Sequence, residues 1–323
     1  MKGSLWNGSF WLAWRQQRVL VGIGAVVLAA AAAIAAYSRS GMLDALRSGL
    51  FDHCDPGPLS CTRSDTGLPL LLDVEPLRIL GALNIVLPVV IGVFWGAPLL
   101  GRDRELGTHR MVLAQGVSRG QWFASRLALA AVTTVVLSGV LAVVFAWWWR
   151  PAADRSYGVF WYENTALSGS GPRVVAAALF GLAAGTLLGL LARRVLAAMG
   201  LTLLVTGAVT LLLEWTHRTR LLVPPRTYTS AGSIPKPPMG EKWSTGNYGL
   251  VTASGNRDDV LKCPFPSSAE LRECMTQHGY VARFYEANPA GDYWTFQWTD
   301  TALLGGLALL LTAVTVLLLR RRV

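Results

Sequence analysis

Six long apolar runs, separated by polar stretches of very unequal length, organise this chain of 323 residues. They cover 19–37, 79–100, 127–149, 174–192, 195–213 and 297–319. A helix rises 1.5 Å per residue, so about 20 apolar residues cross roughly 30 Å of hydrocarbon. The pattern predicts an all-α polytopic membrane protein with six transmembrane helices. An N-terminal stretch, 1–18, precedes the first. Polar connections follow at 38–78, 101–126, 150–173, 193–194 and 214–296, and residues 320–323 close the chain.

Charge orients this scheme. Of 29 Lys and Arg, 13 fall in 1–18, 101–126, 193–194 and 320–323, about 50 residues in all. The positive-inside rule makes those stretches cytosolic, with both termini inside and two sizeable extracellular loops, 38–78 and 214–296. The larger loop carries nine basic and eight acidic residues, which nearly cancel. The net charge of +10 therefore needs no nucleic acid to explain it, and no basic patch interleaved with exposed aromatics is present. Four Lys against 25 Arg suggest a GC-rich bacterial genome, and with it a bacterial cell membrane.

Within 1–18, Phe10, Trp11 and Trp14 share a helical face, with Arg15 and Arg18 placed to reach phosphates. This predicts an interfacial amphipathic helix leading into the first span. The Ala-rich residues 29–36 resemble a signal-cleavage region, but the apolar run is longer than a signal core, so the span is expected to be retained. Met42, Leu43, Leu46, Leu50 and Phe51 suggest a further short amphipathic helix outside. In the second run, Asn84 and Pro88 read as a helix–helix hydrogen bond and a tolerated kink. In the fourth, Gly181, Gly185 and Gly189 recur every four residues and admit close approach of a helix, either within the chain or from a second copy. Stretch 150–173 reads as a short polar loop.

All four cysteines, Cys54, Cys61, Cys263 and Cys274, lie in the two long outer stretches. An even count in an oxidising compartment favours disulfides, with Cys54–Cys61 and Cys263–Cys274 the simplest of three connectivities. Neither spacing is CxxC and the four His are scattered, so no metal site is expected. No phosphate loop and no HExxH are present, and Ser168-Gly169-Ser170-Gly171 matches no protease motif. The chain offers no catalytic residues and should not hydrolyse ATP. The spans hold almost no ionisable side chain, whereas ion-coupled carriers need one near midplane. The energy source is expected to lie outside the chain.

The stretch 101–126 carries five Arg against one Asp and one Glu. Gly107 and Thr108 can end one helix and cap the next. Residues 109–115 would make about two turns, roughly 10 Å long. Ser118 with Gln121 has capping-box spacing, and Val117 with Trp122 staple spacing, so a new helix should begin at Arg119. The shape predicted is a short helix at the membrane surface, hung between two spans.

Glu105, Gly107, Thr108, Ser118, Arg119 and Trp122, so spaced between a second and a third span, resemble the E-x-G-T … S-R-x-x-W/F region of ABC-2-type ABC transporter permeases. Arg126 stands where family members often carry Lys. The sequences WLAWRQQR and YWTFQW also look like those of actinobacterial members. The resemblance implies a coupling helix that docks on a cytosolic ABC ATPase. On it, Glu105 and Arg119 would contact the ATPase, while Gly107, Thr108 and Ser118 cap the helix. It further implies a homodimer of permease chains in the lipid bilayer, ATP and Mg held by the partner ATPase, and export of an amphipathic drug, lipid or peptide. The alternative is a membrane-anchored receptor acting through disulfide-stabilised outer loops.

Overall fold

A computed structural model describes residues 2–47, 67–105, 119–153, 159–192, 194–230, 242–259 and 268–322. The first apolar run lies inside α1 (Lys2–Arg47), one helix of 46 residues. It has no Pro, and the strong helix formers at 29–33 carry it through its centre. Residues 2–18 of the expected interfacial helix and Met42, Leu43 and Leu46 of the expected outer amphipathic helix are therefore the two ends of one helix, while Leu50 and Phe51 lie outside the described residues. Met42 is fully buried there.

The second run forms α2 (Gly67–Ile91), which contains Pro76 and Pro88. Proline lacks an N–H and its ring crowds the preceding turn. Four residues after Pro88 the helix widens into a π-helical turn, Gly92–Gly96, and continues as α3 (Ala97–Glu105). Then come α4 (Arg119–Trp149), a short α5 (Asn164–Gly169), α6 (Gly171–Leu191) and α7 (Val195–Thr219). After a region containing a sheet and α8 (Ser268–Gln277), α9 (Tyr293–Arg322) ends the described chain. Among the described residues, six stretches are long and apolar enough to span a bilayer: Ala13–Asp44, Glu75–Arg102, Trp122–Trp149, Gly171–Leu191, Val195–Thr219 and Ala290–Arg321.

The all-α expectation fails between α7 and α9. Strands β1 (Arg226–Ser230), β2 (Lys242–Thr252), β3 (Arg257–Asp259) and β4 (Tyr280–Pro289) form an antiparallel sheet of order β1-β4-β2-β3. Runs such as Tyr280-Val-Ala-Arg-Phe-Tyr are rich in β-branched and aromatic residues, which suit a pleated surface. Tyr228 and Tyr285 face each other across β1 and β4 with ring centroids 5.2 Å apart. Leu250, Met275 and Tyr280 make a small core between sheet and α8.

Stretch 150–173 is likewise more than a polar loop. Val159, Trp161, Ala166, Leu167, Ser168 and Ser170 are buried, and α5 turns back against the bundle. Asn84 on α2 donates to the Gly169 carbonyl at 2.8 Å, the helix–helix bond expected of it. The largest apolar core lies at this sheet end, around Phe145, Trp148, Trp161, Leu167 and Phe296.

Helix α6 is the most buried of the six spans and packs against α2, α3, α4, α7 and α9. Its glycines explain how. A Cβ added at Gly181, Gly185 or Gly189 would collide with the carbonyl oxygens of Pro88, Gly92 and Ala97 respectively. The backbone of the second span, through its π-helical turn, thus lies in the glycine groove. That face is filled from within the chain and is not free for a second copy.

Candidate functional site at the basic end of the bundle

The end of the bundle carrying Arg102, Arg126, Arg194 and the last three arginines is called here the basic end. Arg126, on the first turns of α4, is its centre. Although Arg126 is 92% buried by its 8% exposure, its guanidinium is well supplied with acceptors. Nε donates to Gln16 Oε1 at 2.9 Å, Nη2 donates to the same oxygen, and Nη1 donates to the Leu99 carbonyl at 3.1 Å. The guanidinium also lies over the Trp122 ring, 4.7 Å from its centroid. Only a planar fork with several fixed donors can bond α1 and α3 together while stacking on α4.

Gln17 adds a second layer. Its amide nitrogen donates to the Arg126 carbonyl at 3.2 Å, and its amide oxygen accepts from Trp95 Nε1 at 3.0 Å. Trp95 sits within the π-helical turn, 6% exposed. The base of α4 is thereby bonded to α1, to the end of α3 and to the irregular turn in the second span. Buried polar groups so paired specify one arrangement, since breaking any link leaves a desolvated donor or acceptor.

Glu105, the last residue of α3, reaches the fifth span. Its Oε2 accepts the backbone N–H of Val195 at 3.0 Å. Val195 is the first residue of α7, whose capping position holds Arg194 with no side-chain cap of its own. A carboxylate at a helix N-terminus satisfies an orphan donor and complements the helix dipole. Trp122 is half-buried in the cluster of Leu100, Phe123, Leu190, Leu318 and Leu319.

The structure thus brings Glu105 and Trp122 to one end of the bundle. Arg119 begins α4 there. Gly107, Thr108, Ser118 and the short helix expected over 109–115 lie outside the described residues. Gln16, Gln17, Trp95 and Arg126 were given no role by sequence reasoning. Two adjacent glutamines entering an apolar run were the available signal. Among the cysteines, Cys274 lies on α8 and is disulfide-bonded, and Cys54, Cys61 and Cys263 lie outside the described residues. Among the described residues no cluster of three His, Cys, Asp or Glu could hold a metal.

One expectation about charge is overturned. Asp300, inside the last apolar run, is 1% exposed and bonded to Arg173 and His217. The spans therefore do hold a buried charge cluster, though at the sheet end. Its members are 127 and 83 positions from Asp300 in sequence, which is why no local pattern announces it.

A bundle of six apolar helices, tied at one end by buried polar bonds to an arginine-rich connection, defines a multi-pass membrane protein. The protein-family model described as ABC-2 membrane transporter related matches residues 25–218, more than half of the sequence. The chain belongs to that family. Membrane domains of this kind are ABC-transporter permeases, transport subunits rather than enzymes, and the family implies pairing with an ABC ATPase. It lends no support to a receptor that does not transport. The match includes the 101–126 connection and the glycine groove but ends before the sheet and α9. Comparison with curated proteins and with solved structures gives no match.

Proposed function

We propose that this chain is the permease subunit of an ATP-driven exporter in the bacterial cell membrane. Two copies pair, and each binds one cytosolic ATPase that holds ATP and Mg. The basic end and both termini face the cytosol, and the sheet faces outward. Residues 105–119 form the docking surface, with the helix over 109–115 capped by Gly107, Thr108 and Ser118, and with Arg119 facing the ATPase. Outside, Cys54–Cys61 and Cys263–Cys274 brace the loops. The cargo is amphipathic, a drug, lipid or peptide, matching the largely uncharged surfaces of the spans.

The observation that supports this reading best is the bonding of Arg126 to Gln16 and Leu99, with Gln17 reaching Trp95. A load applied to the 101–126 connection is passed at once to the first, second and third spans, and through Glu105 to the fifth. Glu105 therefore acts by fixing α7, and contact with the ATPase falls chiefly to the residues after it. The test is co-purification of the chain with its ATPase, followed by ATP turnover in lipid nanodiscs. A two-plus-two complex whose turnover collapses on Arg119→Glu supports docking here. Unchanged binding and turnover in that variant would place the dock elsewhere.

A further inference from the structure

At the sheet end, Asp300 on α9 holds two partners. Arg173 Nε lies 2.6 Å from Asp300 Oδ2, and His217 Nε2 lies 2.9 Å from the same oxygen and 3.1 Å from Oδ1. The three side chains are at most 5% exposed. They join the outer ends of α6, α7 and α9. Short helix α5 is fastened to the same point, since Arg173 Nη1 donates to the Ser168 carbonyl at 2.9 Å. Gln297 Nε2 donates to Leu167 O at 2.7 Å, and Tyr293 and Ser170 hydroxyls are 2.8 Å apart.

Beside this cluster a cavity of about 160 Å³ opens outward, lined by Tyr162, Asn164, Leu167, Glu214, His217, Arg218 and Trp243. It is smaller than the roughly 300 Å³ of ordinary ligand pockets. Its aromatic faces are also taken. Arg220, Trp243, Tyr162 and Phe160 form one continuous stack, with separations of 4.4, 5.9 and 5.3 Å. The cavity reaches the His217 ring, and it is too small for an amphipathic cargo.

A buried ion pair gains little net energy, because desolvation offsets the Coulomb attraction; losing one partner in place, however, is costly. Such a cluster favours two conditions, fully closed or fully wet, and resists anything between. Its neighbours from every packed element fit that role. Glu214 and Arg218 pair with each other on α7 at 2.9 Å, and Phe296 of α9 covers the His217 ring edge-on at 5.6 Å.

We propose that Asp300 is the positioning residue of a latch that holds the outer ends of α5, α6, α7 and α9 shut, and that nucleotide acting at the basic end opens it. The second half of this rests on the permease reading above. Ser168 provides the probe. It is 2% exposed and its hydroxyl has no hydrogen-bond partner, so Ser168→Cys places a thiol under the latch with little disturbance.

The experiment measures the labelling rate of Ser168→Cys by a membrane-impermeant maleimide, on the full chain with its ATPase in nanodiscs. The unsubstituted chain sets the background. Thr134→Cys, fully buried at the middle of α4, reports general unfolding. Trapping with ATP, Mg and vanadate is expected to raise the Ser168→Cys rate at least tenfold and leave Thr134→Cys unchanged. Asp300→Asn is expected to give a similar rise without nucleotide, even in the isolated chain. A bound, turning-over ATPase that leaves the rate unchanged would overturn the latch. So would a folded Asp300→Asn chain labelled no faster than its parent. Should Asp300→Asn also expose Thr134→Cys, the nucleotide arm decides, since it leaves the latch intact. If no ATPase binds, the permease reading fails, and the Asp300→Asn rate in the isolated chain still decides whether the latch exists.

Discussion

Trp95 donates its indole N–H to Gln17 across 78 positions of sequence, at 3.0 Å, in the buried interior of the bundle. The bond fixes the π-helical turn of the second span to the first, and Gln17 carries the link on to the Arg126 carbonyl. Replacing Gln17 by Leu strands a buried indole N–H and frees a carbonyl. The cost expected is about 1–3 kcal/mol. Trp95→Phe in the same background should recover part of it by removing the stranded donor. Thermal unfolding of the two single variants and the double variant checks this, and strictly additive losses would mean the bond contributes nothing.

Arg126→Lys separates charge from geometry. Lysine keeps the positive charge but has neither the fork that bonds Gln16 and Leu99 together nor the plane that lies over Trp122. We expect ATPase binding to persist while ATP turnover coupled to this chain falls about tenfold or more. Resistance to heat should also drop. Co-purification yield set against turnover in nanodiscs reads the two effects apart.

The glycine groove gives a contrast within one protein. Gly181→Ala, Gly185→Ala and Gly189→Ala each force a methyl into the carbonyls of the second span, and backbone cannot step aside as a side chain can. Each should cost about 1–3 kcal/mol, in the range of overpacked cores. Gly200 and Gly207, on α7, have nothing within 4 Å of an added Cβ. Alanine there should be neutral, or stabilise by up to about 1 kcal/mol through helix propensity. Melting temperatures of the five variants in one detergent check the ranking.

Glu105 distinguishes a cap from a contact. Glu105→Gln keeps an oxygen that can accept the Val195 N–H, whereas Glu105→Lys loses the acceptor and reverses the charge at the α7 N-terminus. If Glu105 serves α7, the Gln variant should keep most of the parent's ATP turnover and the Lys variant should lose it. Equal losses in both would return Glu105 to the ATPase interface. Turnover measured at fixed ATPase occupancy makes the comparison.

What was legible in the sequence follows from range. Apolar runs are local, and all six apolar runs lie within helices long enough to span. The four-residue spacing of Gly181, Gly185 and Gly189 is also local, and it pointed correctly to close backbone packing. The connection at 101–126 was found by resemblance, which names residues but not what they touch. Arg126 looked like a harmless exchange for lysine until its fork was seen to join three helices. Arg173 and His217 looked like loop residues because each flanks an apolar run, and Asp300 stands as a lone acid in the last run with no local pattern around it. Their meeting depends on helix ends converging in space. The sheet was missed for another reason. Its strands pair across Pro- and Gly-rich connections, and the stretch was read by its overall polarity rather than by its alternation.

Tyr162 provides a pH-dependent prediction at the sheet end, outside the spans. Its ring is stacked between Phe160 and Trp243. Burial, assisted by the nearby Glu163 carboxylate, raises its phenol above the ordinary value of 10.0. The raised group binds its proton more tightly in the folded chain than in the unfolded one. Its contribution to stability is therefore complete below pH 10.0 and is lost as pH climbs through the higher folded value. Alkali should thus loosen the stack that seats Trp243 on the bundle. Tyr162→Phe keeps the ring and removes the ionisable oxygen, so its unfolding midpoint should fall less steeply than the parent's above pH 10.0. Parallel melting curves across the alkaline range, with tyrosinate absorbance followed in the parent, make the check. Identical slopes would mean that Tyr162 titrates alike in both states or is not seated as described.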